Sequence, residues 1–423
     1  MTPTCDYVIL LSADALRADH LSCHGYHRET SPVLDRFAEE SIQFTRAYSA
    51  SSHTREAVPA LLTGQYPDVA INSNYRLATD SVASVLANEG YATGGFHSNP
   101  YVSRAYGFDR GFDTFDDDLH FGKHKLIALA QRAFDKLRNR HYARAEEIND
   151  RSLAWIDDLG SDQSFFLWNH YMDTHGPYEP PGKYATLYRD SGSPNRDVQS
   201  LYQRAIKDPD SISDADRQLL IDLYDGEIRY NDEKIGEFLD ALRDRDILDR
   251  SLVVFTADHG DAFGEHGYYE HPRYLHDEIT HVPLLVRPPG GADGDTVSVP
   301  VSTLDVFATI KAQLGQELEP YQMSLLRPDR PDDRPVFSQA RGEKEHSHIR
   351  RYSVRTRDGS CFCERNRNSG ALEFTNCSSR QLREELENHV ETRVRVENGE
   401  TVDADADVDE EIERRLSALG YKE

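Results

Sequence analysis

Short apolar runs alternate along the chain with segments whose apolar residues recur at helical spacing. Residues 7–13 form a continuous apolar run, typical of a strand buried on both faces of a parallel sheet. Residues 91–97, 165–172, 252–256 and 282–286 are predicted as further strands. Parallel strands need long crossover connections, so this spacing predicts an α/β fold with a central, mostly parallel sheet.

Helices are predicted between these strands. Ser31 and Pro32 supply an N-cap and a first-turn proline for a helix that runs to about Glu40. Apolar residues in helical phase predict a helix that ends at Gly90 and a long helix over about 214–242. Helices that alternate with strands pack on both faces of the sheet, which completes the predicted layers.

The pattern changes near the C-terminal end. The proline-rich stretch 327–334 is typical of a linker, and residues 353–364 are predicted as β structure with Phe374 in a hairpin. An acidic run from Asp403 leads into a predicted terminal helix. We therefore predict a catalytic α/β domain over residues 1–326 and a small C-terminal α+β subdomain with an acidic helical tail over residues 335–423.

Ionisable residues lie at the ends of three of the predicted strands. Asp14 ends the first, Asp173 and His175 come after another, and Asp258 with His259 comes after a third. In open α/β sheets, ligands bind beyond the carboxyl ends of the strands, where these side chains are expected to meet. Their shared placement favours a functional site over a set of unrelated turn residues.

The net charge of the chain limits the kinds of molecule that are expected to bind it. Acidic residues number 74 against 48 basic ones, and the formal net charge is −26. Such a surface repels nucleic acid and anionic membranes, so neither is expected as a partner. The composition resembles that of proteins from salt-loving microbes, whose abundant Asp and Glu stay hydrated in concentrated salt.

The cysteines and the N-terminus give an expectation about the compartment. The five cysteines lack the spacing of a disulfide framework, and Cys361 and Cys363 are expected to project as two buried thiols from one strand, although a metal site with Cys377 is an alternative. No apolar run is long enough for a signal peptide or a membrane span. We expect a soluble cytoplasmic protein.

The strongest local signal is the run from Thr256 to Gly267. Asp258, His259 and Gly260 come directly after a predicted strand and place a carboxylate beside an imidazole at a flexible turn. Oxygen and nitrogen ligands of this kind bind divalent cations. Together with Asp14 at another strand end, they predict a metal site.

Ordered motifs over roughly residues 5 to 310 give the chain a resemblance to the sulfatase family of the alkaline-phosphatase-like superfamily. It looks similar to sulfatase-like hydrolases of haloarchaea. The stretches that carry the resemblance are 11–26, with a strand-end Asp; 60–67, with Leu-Leu-Thr-Gly; 96–117; 170–178, with Asp-Thr-His-Gly-Pro; and 256–267 with 281–285. The resemblance implies an alkaline-phosphatase-like fold and a metal held by Asp14, Asp258 and His259.

The chain departs from the family pattern at the nucleophile. The family signature begins with Cys or Ser, which sulfatases oxidise to formylglycine, and counting back from Leu61 places Thr54 there. Glu56, Ala57 and Val58 replace the Pro, Ser and Arg of the signature. Threonine cannot form that aldehyde, but its hydroxyl can attack directly when a metal lowers its pKa, so we expect the Thr54 oxygen to bind the metal together with Asp14, Asp258 and His259. The alternative interpretation is that Thr54 only caps a helix that runs to Leu62.

Further roles are implied by matched positions. His175 is expected to contact the transferring oxyanion or the leaving group. His271 stands where the family often has an anion-binding Lys, and a protonated His can serve there with a charge that depends on pH. Arg55 is a candidate replacement for the signature Arg, and Asn99 is a second-tier substrate contact. Ala15 replaces a second metal-binding Asp, which implies one divalent ion: Ca²⁺ first, with Mg²⁺ or Mn²⁺ as alternatives.

Three functions stay open on the sequence alone. The first is a sulfate-ester hydrolase acting through Thr54, on a small-molecule, glycan or lipid ester. The second is a phosphodiesterase, phosphonate hydrolase or phosphoryl-group transferase, because related enzymes of these classes use Thr as nucleophile. The third is an inactive metal- or glycan-binding homologue. Val58 and Ala15, which replace signature residues, support it, whereas the intact candidate metal ligands argue against it.

The acidic composition predicts a requirement for salt. Mutual repulsion of the surface carboxylates is screened in concentrated salt and unscreened without it. We expect the far-UV circular dichroism signal and the cooperative melt to be lost when KCl is dialysed from molar to low millimolar concentration. A sharp melt whose midpoint does not change on removing salt contradicts the prediction.

Overall fold

The computed structural model describes residues 5–118, 142–189 and 197–397. The predicted acidic tail from Asp403 lies outside the described residues. The α-helices of the described part are α1 Pro32–Glu39, α2 Thr54–Thr63, α3 Pro67–Ala70, α4 Val82–Asn88, α5 Ala145–Asp158, α6 Val198–Lys207, α7 Asp214–Asp244, α8 Asp277–Thr280, α9 Leu304–Gln313 and α10 Arg380–Glu397.

The strands of the described part belong to one large sheet and three smaller ones. They are β1 Tyr7–Ala13, β2 Ile42–Phe44, β3 Ala47–Tyr48, β4 Ala92–His97, β5 Thr114–Asp116, β6 Phe165–Tyr171, β7 Ser251–Ala257, β8 Ala262–Phe263, β9 Tyr269–Glu270, β10 His281–Val282, β11 Leu284–Arg287, β12 Thr296–Val297, β13 Val301–Ser302, β14 Val336–Arg341, β15 Ile349–Arg355, β16 Ser360–Asn366 and β17 Leu372–Thr375.

The large sheet has the strand order β12-β2-β11-β7-β1-β6-β4-β5. Strand β1 is parallel to both β6 and β7, whereas β11 runs antiparallel to β7. Every residue of β1, β6 and β7 is buried, as a sheet covered by helices on both faces requires. The predicted α/β fold with a mostly parallel central sheet is confirmed.

Strand register brings the predicted site residues to one edge of the sheet. Ala13 pairs with Tyr171 on one side and with Ala257 on the other, so the three strands end level with one another. The Asp14 N–H continues the pattern and donates to the Tyr171 carbonyl at 2.8 Å. Asp14 and Asp258 therefore leave neighbouring strands at the same height.

Two predicted details differ from the structure. The Ser31 side chain does not cap α1; instead the Asp232 carboxylate of α7 accepts the N–H groups of Val33 and Leu34 at 3.0 and 2.9 Å. The strand predicted at 282–286 is split at Pro283, which has no N–H for a sheet. The segment before it pairs with β3, and β11 joins the large sheet.

A second, antiparallel sheet forms the predicted C-terminal α+β subdomain. Its order is β14-β15-β16-β17, and α10 packs on it. Val354 and Cys361 of the sheet and Leu382, Leu386 and Val390 of the helix share one buried cluster. The residue limits 1–326 and 335–423 that the sequence suggests for the two parts stay a prediction.

The cysteines of this sheet correct one expectation. Cys361 and Cys363 are both buried, as predicted, but Cys361 forms a disulfide with Cys377 and only Cys363 keeps a thiol. The chain after β17 returns alongside β16, where the Ser378 N–H donates to the Ser360 carbonyl at 2.9 Å, and this brings Cys377 beside Cys361. The expectation of two free thiols was therefore wrong at Cys361.

The helices bear on the question of membrane crossing. Across the described ranges, no helix is both long and apolar enough to cross a membrane. The 31 residues of α7 include buried polar side chains such as Asp225 and Glu227, which are paired with other residues of the protein.

His389 of α10 contacts aromatic rings of both the C-terminal sheet and the α/β domain. Its imidazole stacks on Phe337, with centroids 4.1 Å apart and planes at 2°, and meets the edge of Tyr66 at 4.9 Å. Burial lowers the pKa of His389 to about 3, and the Arg393 charge acts in the same direction. The folded protein therefore holds this imidazole neutral.

Acid is expected to destabilise the protein through His389. An unfolded chain binds a proton at this residue below about pH 6.5, while the folded chain does not until about pH 3. The His389 contribution is thus complete above pH 6.5 and is lost as pH falls, by at most about 1.4 kcal/mol per pH unit. Urea unfolding from pH 7 to 5 measures it, with His389→Phe as the variant that lacks this slope and His27→Gln, an exposed histidine, as the control. Equal slopes in wild type and His389→Phe contradict the prediction.

Candidate active site

Four predicted metal-site residues converge at the carboxyl edge of the large sheet. Asp14 comes after β1, Asp258 and His259 come after β7, and Thr54 opens α2. Each of the four residues is at most 1% exposed. The structure therefore brings together residues from two strand ends and one helix start that are far apart in the sequence.

Three potential ligand atoms face one point. His259 Nε2 lies 3.6 Å from Asp14 Oδ1 and 3.5 Å from Asp258 Oδ2, and one ligand atom from each of the three residues lies within 4.8 Å of the other two. The two oxygens are buried and have no hydrogen-bond partner among the described residues. Buried carboxylate oxygens without donors are costly unless a cation or a proton neutralises them. This donor set fits a divalent cation.

The remaining atoms of these ligands are held in place by the backbone. Asp258 Oδ1 accepts the N–H groups of Ala15 and His259 at 3.2 and 2.8 Å. The Nδ1 of His259 lies 3.0 Å from the Gly260 carbonyl, which holds the proton on that nitrogen and leaves the Nε2 lone pair for a cation. Each ligand is thereby oriented from behind.

The side chains of Asn99 and His170 orient Asp14. Asn99 was a second-tier site residue in the sequence analysis, and His170 was not predicted. The Asn99 amide donates to Asp14 Oδ2 at 2.6 Å, and His170 Nε2 lies 3.2 Å from the same oxygen. A hydrogen-bond chain from Trp168 through Ser12 reaches His170 Nδ1 and directs the His170 proton toward Asp14. Asn99 also accepts the Tyr101 N–H, so the structure places its amide behind the Asp14 carboxylate, while its predicted contact with the substrate stays a prediction.

His170 carries a recognisable signal in the sequence. It lies within β6, whose preceding residues are mostly apolar, and a charged or imidazole side chain inside a fully buried strand is unusual. The strand-end pattern drew attention to Asp173 and His175 instead, and His170 was not among the predicted site residues.

The two carboxylates have opposite pKa shifts. Burial and then the adjacent Asp14 charge raise the pKa of Asp258 to about 6. Burial also opposes ionisation of Asp14, but the neighbouring His175, His170 and His259 outweigh it and hold the pKa of Asp14 well below its usual value. Without a cation, one proton is therefore retained near Asp258 more readily than near Asp14.

Ala15, directly after Asp14, has a left-handed backbone with φ of 57°. This conformation costs a residue with a Cβ about 1–2 kcal/mol. Asp258 Oδ1 accepts its N–H, and the Tyr224 hydroxyl donates to its carbonyl at 2.8 Å. The turn that aims Asp14 is thus maintained by hydrogen bonds on both sides of Ala15.

Thr54 is the first residue of α2, and its N-cap is His53. The alternative interpretation of Thr54 as the helix cap is therefore wrong, since the His53 ring accepts the Arg55 N–H. Thr54 Oγ1 lies 3.1 Å from His259 Nε2 and 3.5 Å from Asp14 Oδ2. Its hydroxyl faces the metal ligands.

His271 and His175 border the same space. Their rings lie 5.1 Å apart, and His271 lies 4.4 Å from the His259 ring. His271 Nδ1 contacts the Asp261 carboxylate at 2.7 Å, and the Tyr178 hydroxyl donates to the other Asp261 oxygen. Asp261, which was not among the predicted site residues, orients His271.

The surroundings of His271 act against a positive charge on its ring. Burial, followed by the nearby His259 and His175, lowers the pKa of His271 well below its usual value. Burial also lowers the pKa of His175. The lowered pKa favours the neutral ring, whose Nδ1 faces Asp261, and the anion-binding role of His271 stays a prediction.

Arg55 lies among aromatic rings. Its guanidinium carbon is 4.2 Å from the Tyr101 ring centre and 4.7 Å from that of Tyr75, and it donates to the Tyr106 hydroxyl at 3.4 Å. Stacking of this kind holds an arginine without neutralising its charge. Arg55 directly follows Thr54 in the chain. Its predicted role in binding an anion stays a prediction.

A cavity of about 260 Å³ lies beyond the Tyr75 ring. Its described lining is Ser73, Tyr75, Arg341, Gly342, Ser347, Arg350 and Arg367. No carboxylate belongs to that described lining, although the chain as a whole carries a net charge of −26. The cavity therefore offers an anion a locally basic surface.

Glu56 replaces the signature Pro and is fully buried. It accepts the Ser51 hydroxyl, the Arg341 N–H of β14 and the Arg273 guanidinium. Arg273 also pairs with Glu343, beyond β14. This network, which a single-sequence pattern does not reveal, joins the start of α2 and the His271 segment to the C-terminal sheet.

A family model described as sulfatase matches residues 6–316, nearly three quarters of the chain. The chain belongs to the sulfatase family. It is therefore a sulfatase-like hydrolase that acts on ester bonds, in line with the resemblance in the sequence.

This sulfatase has distant relatives over most of its length. The arylsulfatase of Clostridium perfringens is 23% identical, covering 72% of this chain and 73% of that protein. The iduronate 2-sulfatase of Homo sapiens is 24% identical, covering 75% of this chain and 66% of that protein. The phosphonate monoester hydrolase of Agrobacterium radiobacter shares the fold with a TM-score of 0.69 at 17% identity, covering 93% and 95% of the two chains.

Replacing Asp258 by Asn is expected to separate metal binding from stability. The amide oxygen of the introduced Asn can accept the same two backbone hydrogen bonds. The substitution removes a negative charge that burial and the neighbouring Asp14 both disfavour. We expect Mn²⁺ binding, measured calorimetrically, to weaken at least about tenfold, while the free energy of unfolding of the metal-free variant rises by an amount on the order of 1 kcal/mol. Asp240→Asn, on the exposed face of α7, is the control. An unchanged Mn²⁺ affinity contradicts the assignment.

Proposed function

We propose that this sulfatase hydrolyses sulfate esters with the Thr54 hydroxyl as nucleophile and one divalent cation at Asp14, Asp258 and His259. The proposal is carried by one observation: Thr54 Oγ1 lies 3.1 Å from His259 Nε2 and 3.5 Å from Asp14 Oδ2 at the start of a helix. A helix N-terminus also favours the anionic ester that the nucleophile must approach.

The ligand set guides the choice of cation. When bound, the cation neutralises the non-bridging ester oxygens and lowers the pKa of the Thr54 hydroxyl. Ca²⁺, which the sequence favoured, is typically surrounded by oxygens alone, whereas one imidazole among two carboxylates also suits Mn²⁺. Mg²⁺ stays a further alternative.

The first chemical step joins Thr54 to the transferred group. The Thr54 hydroxyl points at Asp14 Oδ2, which orients it but has too low a pKa to act as a base, so the Oγ1 proton passes to solvent water. Oγ1 then forms a bond to sulfur as the bond from sulfur to the ester oxygen breaks in line. Asn99 and His170 hold Asp14 Oδ2 in place during the transfer.

The second part of the reaction concerns His175 and His271. The Nδ1 of His175 contacts the Gly176 carbonyl and that of His271 contacts Asp261, and the proposal assigns the substrate contact of each ring to its Nε2. A bound anion opposes the lowered pKa values of these rings, so one of them carries the proton that the departing oxygen takes. The neutral ring then accepts a proton from the attacking water. Water replaces Oγ1 on sulfur, and Thr54 recovers its proton from solvent.

Anionic glycans are the substrate class that the surroundings favour. The guanidinium of Arg55, the residue after Thr54, stacks on the Tyr75 ring, and the same ring lines the basic cavity. Relatives include a choline-sulfatase of Rhizobium meliloti and iduronate 2-sulfatase, and a solved neighbour holds D-glucosamine-2-N,6-O-disulfate. Small-molecule and lipid sulfate esters are alternatives with the same reacting group.

A phosphorus ester is the main alternative substrate. Thr54 replaces the residue that becomes formylglycine, and Val58, buried within α2, replaces the signature Arg. The same attack by Oγ1 on phosphorus gives a phosphodiesterase, a phosphonate hydrolase or, with an alcohol as acceptor, a phosphoryl transferase. An inactive binding homologue is disfavoured by the complete set of oriented metal ligands.

A cytoplasmic location and adaptation to high salt are further proposals. The acidic composition supports adaptation to salt. The Cys361–Cys377 bond is typical of oxidising compartments and weakens the argument for the cytoplasm, while Cys5, Cys23 and Cys363 stay as thiols.

Thr54→Ala is expected to lower kcat by about a thousandfold or more, because it removes the attacking oxygen. Thr54→Ser keeps the hydroxyl and is expected to retain activity within about tenfold. The measurement compares 4-nitrophenyl sulfate, phosphate mono- and diesters, and a phenylphosphonate ester in molar KCl with Mn²⁺, Mg²⁺ or Ca²⁺.

The outcomes of this assay separate the functions. A preference for the sulfate ester supports the proposal, and a preference for a diester or phosphonate supports the phosphorus alternative. Hydrolysis by Thr54→Ala at the wild-type rate removes Thr54 from the mechanism. Absence of turnover for every ester with every cation favours the binding homologue.

A further inference from the structure

A second cluster of ligand atoms lies outside the active site, on the segment that leads into α8. His266 Nε2 is 3.3 Å from Glu278 Oε1, and His276 Nδ1 is 3.8 Å from the same oxygen. One ligand atom from each of the three residues lies within 4.8 Å of the other two. The cluster shares no residue with the set formed by Asp14, Asp258 and His259.

The spacing suits a small cation. Zinc binds imidazole nitrogen and carboxylate oxygen at about 2.0–2.2 Å in tetrahedral geometry, which places its ligand atoms about 3.3 Å apart. The observed separations of 3.3 and 3.8 Å need little adjustment. The Tyr268 hydroxyl lies 3.0 Å from Glu278 Oε1, and 2.5 Å from His276 Nδ1.

Access and environment also fit. The His266 side chain is 47% exposed, whereas that of Glu278 is 8% exposed. A cation can therefore arrive from solvent and still bind a carboxylate that is withdrawn from water. The His266 and His276 rings already lie against each other, with centroids 3.9 Å apart, so little side-chain freedom is lost on binding.

We propose that His266, His276 and Glu278 form a second cation site, which takes Zn²⁺ or a similar borderline cation. Two imidazoles and one carboxylate are the donor set of zinc sites that keep a fourth position open. Water or the Tyr268 hydroxyl completes the tetrahedron. The oxygen-rich catalytic set and this nitrogen-rich set differ in the cations they prefer.

The position of the cluster gives it a consequence for the active site. His266 and His276 stand on either side of His271 in the chain, so a shared cation closes a loop that carries this residue. Closing a loop reduces the conformations open to it. Glu278 precedes Ile279, whose carbonyl accepts the Gly260 N–H at 2.7 Å, directly after His259. The site therefore holds the His271 segment against the catalytic strand end.

Zn²⁺ titration of Asp258→Asn tests the proposal, because this background weakens the catalytic site. We expect one calorimetric equivalent of Zn²⁺, and a Co²⁺ absorption spectrum typical of tetrahedral coordination. Adding His266→Gln is expected to weaken Zn²⁺ binding at least about tenfold, and His266 is exposed enough for this change to leave the fold intact. Adding His27→Gln, at an exposed histidine away from the cluster, leaves Zn²⁺ binding unchanged.

Two results overturn the proposal. One is the absence of Zn²⁺ binding in Asp258→Asn, which leaves the Tyr268 hydrogen bonds as the whole role of the cluster. The other is equal Zn²⁺ affinity with and without His266→Gln. Hydrogen exchange of residues 264–276 supplies a second readout, since Zn²⁺ is expected to slow it only when His266 is present. None of these measurements depends on turnover of an ester.

Discussion

Two carboxylates buried side by side are the constraint on which the rest of this sulfatase depends. Asp14 and Asp258 leave neighbouring parallel strands at the same height, and each turns one oxygen without a donor among the described residues toward the same point. Like charges in such a place need a cation or a proton between them. Asn99 behind one carboxylate and the Ala15 backbone N–H behind the other prevent the oxygens from turning to other partners.

The same constraint organises the reacting groups. The Thr54 hydroxyl lies between the N-terminus of α2 and the two carboxylates. The helix dipole favours an anionic ester there, and the carboxylates favour a cation. His271 is oriented by Asp261, and His175 by a backbone carbonyl. The chemistry is thus assembled from a preorganised set of side chains whose protonation depends on the charge that binds between them.

The central strands and the convergence of the candidate metal ligands could be predicted from the sequence because both depend on local patterns. Apolar runs mark buried strands such as β1 and β7, and Asp14, Asp258 and His259 stand directly at their ends. The features that were not predicted depend on long-range contacts: Asp232 caps α1 from about 200 positions away, and Cys377 returns to Cys361 around a hairpin. The charge of His271 also escaped prediction, because burial and neighbouring rings decide it.

The Glu56 network links the catalytic machinery to the C-terminal sheet, which is synthesised late. Before β14 is made, Glu56 lacks the Arg341 N–H and Arg273 lacks Glu343, so both charges are left with incomplete partners. A ribosome-bound chain that ends earlier therefore contains Asp14, Asp258, His259 and Thr54, yet the helix that presents Thr54 is not fully anchored. The helix that presents Thr54 therefore gains its complete set of partners only after β14 and the segment that follows it have been synthesised.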